Sequence, residues 1–292
     1  MELENILMRA SFDAGPSLKG IIDYLRTCNI KGSFIFHHNL ISYSMTDTTG
    51  SILNIFEINT NCIPKYEFNH DSPVVVGLDL GKLKKILSII TSKNGVRFTL
   101  FKNYPNLIIQ ITTPGSKELY DSNINTIEII PTELEKMEGP EYSKPESEPN
   151  CYMNVTEFCK YCNELTKNQS EYINVRSTPT GFSFEVRSAK TVVINREIGA
   201  FSEKGNFMLK LSEKLKNMTL DDDENNDFVF KEKNEMERIN IKGSFIKSLS
   251  KLNIPFKSTS VKLYKEDDLP LKLIFRNQYS SLTIFVRDMQ KN

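Results

Sequence analysis

Residues 131–150, PTELEKMEGPEYSKPESEPN, divide the chain into two halves that spell the same plan. They hold four prolines, six glutamates and no aliphatic run. Such a stretch buries too little apolar surface to fold alone, so it reads as an extended connector running over a surface. On each side of it the order is the same: a strand, a helix, several strands, a second helix and closing strands. The expectation is two similar domains, residues 1–130 and 151–292, joined by the 131–150 connector. At 292 residues the chain suits about two domains.

The first half opens with a strand, Ile6 to Phe12. Gly15-Pro16-Ser17 then starts a helix running to about Cys28. Leu18, Ile21, Ile22 and Leu25 fall on one face of it, and Lys19, Asp23 and Arg26 on the other. SFIFHH, LISYSM and ILNIFEI alternate as strands. SPVVVGL is an apolar strand that ends at Asp79, a good N-cap. The next helix is predicted over Leu80–Ile90, with Lys82, Lys84 and Lys85 off its apolar stripe. GVRFTLF and NLIIQI form a hairpin about Asn103-Tyr104-Pro105, and NTIEII leads into the connector.

The second half repeats this. After strand CYMNV, Asn154 and Glu157 have capping-box spacing. They open a helix to about Lys167 whose apolar face is Val155, Phe158, Cys159, Cys162 and Leu165. YINVRS, GFSFEVRS and TVVINREI read as strands, and NFMLKLSEKLKNM fits strand or helix. After the acidic DDDENND come strand ERINIKG and helix SFIKSLSKLN, stopped by Pro255. SVKLYKE, LPLKLIF and SLTIFVRD close the chain. Four amphipathic helices on a strand-rich frame imply an α+β architecture with helices packed on one side of the sheets. All four outward faces carry lysine.

Composition excludes several classes. Apolar residues make up 39% and charged residues 25%, ordinary for a soluble globular protein. No apolar run reaches the roughly 18 residues that span a membrane, so no membrane role is expected. MELENILMRA lacks a secretory pattern, and five cysteines in such a chain point to free thiols in a reducing compartment. The 37 basic and 37 acidic residues cancel, which argues against a generally basic coat but allows charge segregated on one face.

No catalytic, cofactor or metal site is expected. Cys159-Lys160-Tyr161-Cys162 has no second CxxC or HxxxH, and its thiols lie on an apolar helix face, where they pack as small hydrophobes. Asp221, Asp223, Asn225 and Glu232 match calcium-loop positions, but Asn226 stands where that loop needs glycine. His37 and His38, adjacent in a strand, point to opposite faces and make a poor ligand pair. There is no GxGxxG, Walker loop or GxSxG. A lysine face alone is what any surface helix shows; its recurrence in four helices could form a stripe able to meet a phosphate backbone.

Taken in order, these segments resemble a sliding clamp of the proliferating cell nuclear antigen family. FDAGPSLKGIIDYLR is similar to the family's first strand and helix, and LISYSMTDTTGSILNI to its Ser-Met-Asp segment with one extra residue. VVVGLDLGKLKKIL resembles the second helix region, TIEIIPTELEKMEGPEY the start of the interdomain connector, and PFKSTSVKLYKEDDLPLKLIF the closing strands. The resemblance covers essentially the whole chain. Two departures stand out: the segment from about Gly199 to Glu237 is longer than the family's, and TIFVRDMQ lacks its usual Ala-Pro. Lys-, Asn- and Ile-rich usage points to an AT-rich genome, viral or protist.

The resemblance implies the DNA-clamp fold and a closed homotrimeric ring around double-stranded DNA. Such a ring is loaded by a clamp loader and tethers a DNA polymerase and other replication and repair proteins, with no catalysis of its own. It would work in the nucleus, or at a cytoplasmic replication site for a viral chain. Within the family the alternative is a subunit of a hetero-oligomeric checkpoint clamp; outside it, an enzyme with an unrecognised site. Ring contacts are expected between the edges Asn106–Thr113 and TVVINREI. Eight basic residues are expected to face the channel: Lys19, Arg26, Lys82, Lys85, Lys160, Lys167, Lys247 and Lys251. Partner peptides of replication enzymes are expected in a groove under the connector, at Ser44, Met45, Leu134, Met137, Pro270 and Phe285.

Overall fold

The computed structural model describes residues 5–112, 123–132, 137–143, 146, 148–167, 170–178, 181–187, 193–199, 238–266 and 268–290. NFMLKLSEKLKNM, the acidic loop, the calcium-loop spacing and Leu134 lie outside the described residues.

In the first half β1 (Ile6–Phe12) leads to α1 (Gly15–Cys28), then β2 (Lys31–Phe36), β3 (Leu40–Thr46), β4 (Ile52–Asn59), β5 (Lys65–Phe68) and β6 (Val74–Asp79). After α2 (Leu80–Leu87) come β7 (Gly95–Phe101), β8 (Asn106–Thr112) and β9 (Asn123–Glu128). The second half runs β10 (Cys151–Asn154), α3 (Val155–Leu165), β11 (Tyr172–Thr178), β12 (Gly181–Arg187), β13 (Val193–Gly199) and β14 (Arg238–Lys242). It finishes with α4 (Gly243–Leu249), β15 (Ser260–Tyr264), β16 (Leu271–Arg276) and β17 (Ser280–Val286). A 3-10 turn at Ser250–Asn253 prolongs α4. The short β5 has no counterpart in the periodicity reading, and α2 stops three residues early.

Local chemistry accounts for the helix starts. The Asp79 carboxylate accepts from the Lys82 amide at 2.9 Å, and the Asn154 side chain from the Thr156 amide at 2.8 Å, each filling an orphan donor of a first turn. Leu18, Ile21, Ile22 and Leu25 are all buried, as their spacing requires.

The strands make three sheets, ordered β5-β1-β7-β8-β9, β10-β15-β16-β17-β4-β3-β2-β6 and β13-β12-β11-β14. The eight-stranded sheet joins the halves, because β17 pairs antiparallel with β4 from Ser280↔Ile58 to Val286↔Ile52. The helices lie together: α1 packs on α2, α4 and the 3-10 turn, and α3 on α4 and the same turn. Gly20 lets α1 approach closely, since a Cβ there would stand 2.7 Å from Pro255 Cδ.

Under α1 the core holds a polar pair. The Tyr24 hydroxyl donates to Asn54 Oδ1 at 2.8 Å, and both residues are fully buried. Burial pushes the Tyr24 hydroxyl well above its usual range, so it stays a donor. Tyr24→Phe is expected to cost about 1–3 kcal/mol by orphaning that oxygen. A urea titration should show a lower midpoint at unchanged slope. Adding Asn54→Leu should cost less than the sum of the single changes, because the two act as one unit.

The connector is stitched down rather than loose. The Ser44 hydroxyl donates to the Met137 carbonyl at 2.6 Å. Tyr142 donates to the Pro270 carbonyl, and the Ser143 hydroxyl to the Glu266 carboxylate at 2.7 Å. The Glu146 carbonyl accepts from Tyr264 at 2.6 Å and from Lys262 at 2.8 Å. Its length is polar, but its contacts are made one residue at a time along the sheet's outer face. That is why no periodicity marks them.

Candidate nucleic-acid interface and partner groove

The helix layer presents the basic residues. Lys82, Lys85, Lys160, Lys167 and Lys247 are exposed, each on a helix or just past its end. Lys19, Arg26 and Lys251 are half-buried. Two of these three act as ties. The Lys19 ammonium donates to the Ser88 carbonyl at 2.9 Å and the Ile90 carbonyl at 3.3 Å, satisfying acceptors just past α2. The Lys251 ammonium donates to the Asp23 carbonyl at 3.2 Å, across the junction of the halves. Its pKa is lowered, first by burial and then by the neighbouring Lys84 cation.

Two further cations belong to the layer. Lys84 pairs with Asp23 at 3.5 Å, and with Arg26 and Lys242 it lines a cavity of about 620 Å³ between α1, the β3–β4 loop and α4. The sequence places Lys84 off the apolar stripe, which was its signal. Lys242 ends a strand and gives no helical signal. The exposed face of α3 is mixed, since Glu157 and Glu164 stand beside Lys160.

No group of three or more His, Cys, Asp or Glu side chains able to hold a metal occurs among the described residues. Cys159 and Cys162 are buried; burial pushes the Cys159 thiol up to about 12 and that of Cys162 well above its usual range. Neither is a thiolate near neutral pH. The histidine reading needs correction. His37 and His38 lie in the turn after β2, with ring centroids 5.6 Å apart and both rings near Phe68. A turn does not impose the strand's alternation.

A cavity of about 290 Å³ lies beneath the connector, walled by Leu53, Met137, Pro140, Pro270, Phe285 and Arg287. Register decides which side chains reach it. Thr46, Leu53, Phe285, Lys272 and Tyr264 are successive cross-strand partners over β3, β4, β17, β16 and β15, so they share one face. The connector lies on that face: Gly139 seats directly against the Phe285 ring, which a Cβ would overlap, and Tyr142 packs on Phe285 at 6.2 Å. Ser44, two residues before Thr46, also faces the connector.

Met45 falls in the other row. Its partners Asn54, Ile284, Leu273 and Leu263 are all buried, and Met45 packs against that core. The structure therefore puts Leu53, which the sequence reading missed, where Met45 was expected. Met137, Pro270 and Phe285 line the cavity beneath the connector. The ring-edge expectation also needs correction: β8 is interior, paired with both β7 and β9, and among the described residues the edge is β9. Among the described residues TVVINREI supplies an edge, β13.

No family model and no curated relative matches the sequence. Among solved structures, the proliferating cellular nuclear antigen of Entamoeba histolytica superposes with a TM-score of 0.71 at 15% identity, covering 97% of this chain and 98% of that one. This chain has the clamp fold. At that identity the likeness speaks for the architecture and leaves the chemistry of each surface to be argued from its own residues.

Proposed function

We propose that this protein is a DNA sliding clamp: a ring of identical chains that encircles duplex DNA and tethers a polymerase and other replication proteins. It would act at the site of replication, nuclear or, for a viral chain, cytoplasmic. The observation that carries this reading is an incomplete repeat. In the second half β10-β15-β16-β17 continues into β4 of the first half. By the repeat, β1-β7-β8-β9 matches β10-β15-β16-β17, and β13 matches β4. The first-half sheet should therefore continue from β9 into a β13, yet among the described residues both are edges. A β13 supplied by another copy completes it. Such a contact is head-to-tail, and a head-to-tail contact closes into a ring when its rotation allows. The clamp resemblance favours a trimer.

A ring needs no base contact, only mobile contacts from its inner helices to phosphates. The clamp itself makes and breaks no bond. The test is retention on circular DNA and loss from the same DNA once cut, after loading by a clamp loader. Equal loss from both forms would defeat the reading. Charge supplies a second test. The five exposed lysines are the contact candidates, whereas Lys251 also holds the domain junction. Lys85, Lys160 and Lys247 changed together to glutamate should weaken association with duplex DNA at low salt by tenfold or more, on the order expected for three lost phosphate contacts. The circular dichroism spectrum should stay unchanged. Undiminished binding would remove these helices from the interface.

A further inference from the structure

Among the described residues the groove carries one unspent charge. Arg287 follows β17 and continues the outer-face row of Phe285 two residues on, with its amide bonded to the Ser51 carbonyl at 2.9 Å. Its side chain is exposed, lines the cavity, and makes no hydrogen bond or ion pair with any described residue. Glu138 on the connector, which lines the same cavity, already has an interaction within the chain. The next cation on this face, Lys272, sits under the rings of Tyr142, Tyr264 and Phe285, 4.9, 5.3 and 5.8 Å from their centroids. Its charge is partly met by those π faces. The wall beside Arg287 is apolar: Leu53, Pro140, Pro270 and Phe285.

We propose that Arg287 is a specificity-determining residue of this groove. It selects partner peptides that carry a carboxylate next to their apolar anchor. The inference rests on the groove being the partner site of the clamp reading. An apolar anchor buries against Leu53 and Phe285, and Arg287 meets the neighbouring carboxylate with its two-pronged donor set. A lysine in the peptide at that place would face like charge, so the groove discriminates by repulsion as well as attraction.

The test uses the full-length protein and two synthetic peptides that share one apolar and aromatic anchor. They differ only in bearing aspartate or lysine beside it. Calorimetry on the wild type should show the aspartate peptide binding roughly three- to tenfold tighter at low salt, as for a partly exposed ion pair. The preference should shrink as salt rises. Arg287→Glu should reverse it, and Arg287→Ala should abolish it while both peptides still bind. Equal affinity of the two peptides for wild type, with both lost on Leu53→Asp, would overturn the assignment of Arg287 and leave the groove standing. Binding of neither peptide to wild type would overturn both.

Discussion

Replacing Thr126 by proline is expected to convert the ring into single chains. Hydrogen-bond direction in β9 sets this outcome. The Ile129 amide donates to the Pro105 carbonyl at 2.9 Å, toward β8, whereas the Ile130 amide donates to Gly77 at 2.8 Å, away from it. Strand residues alternate, so the odd positions of β9 bond to β8 and Ile124, Thr126 and Glu128 aim their amides outward. Proline at 126 therefore spares the ladder inside the chain and removes one donor from the free edge. Ile124, 63% exposed on that same edge, would lose its cover in the monomer form and gain it in the ring. Each contact leaves one carbonyl of the neighbouring β13 unmet, and three contacts sum to roughly 3–9 kcal/mol. Sedimentation should show the wild type at three times the chain mass and the variant at one. A variant that keeps the trimer would move the interface off β9. A wild type that stays single at high concentration would end the homotrimer reading.

The elements that can be read from the sequence are those set by neighbours along the chain. The stripe of α1, the cap at Asp79 and the repeat across the connector depend on residues a few positions apart. The errors at the groove and at the sheet edge involve strand pairing over long separations. Met45 and Leu53 exchange roles because a strand shows alternate residues to alternate faces, so placing Ser-Met one step differently beside the Asp47–Gly50 turn flips the set. Asp47 fixes that turn: its carboxylate accepts from the amides of Ser51 and Ile52 at 2.8 Å each. Nothing in LISYSMTDTTGSILNI announces which of two registers follows. β8 and β9 differ only in whether a further strand lies beyond them, which is a property of the whole sheet. Lys19 and Lys251 looked like free cations because their acceptors, the carbonyls of Ser88, Ile90 and Asp23, are backbone atoms that carry no side-chain signature.

The same register gives opposite outcomes for two neighbouring apolar residues. Leu53→Asp should abolish peptide binding and leave the ring intact. Its side chain stands on the outer face beside Phe285, half-buried, so a carboxylate there stays solvated in the free protein. When a peptide's anchor seals the groove, that charge loses water, and burying it beside the apolar anchor is costly even with Arg287 on the same wall. The expected loss is more than about thirtyfold, or 2 kcal/mol and upward. Met45→Lys should behave the other way. That side chain packs toward the helix layer against the buried core, so the charge is paid for in folding stability. Its denaturation midpoint should fall, and the peptide affinity of the fraction that remains folded should be close to wild type. Calorimetry for affinity and urea titration for stability, run on both variants, separate the two effects. If Met45→Lys removed binding at unchanged stability while Leu53→Asp kept it, the strand would be in the other register and the groove would have to be rebuilt around Met45.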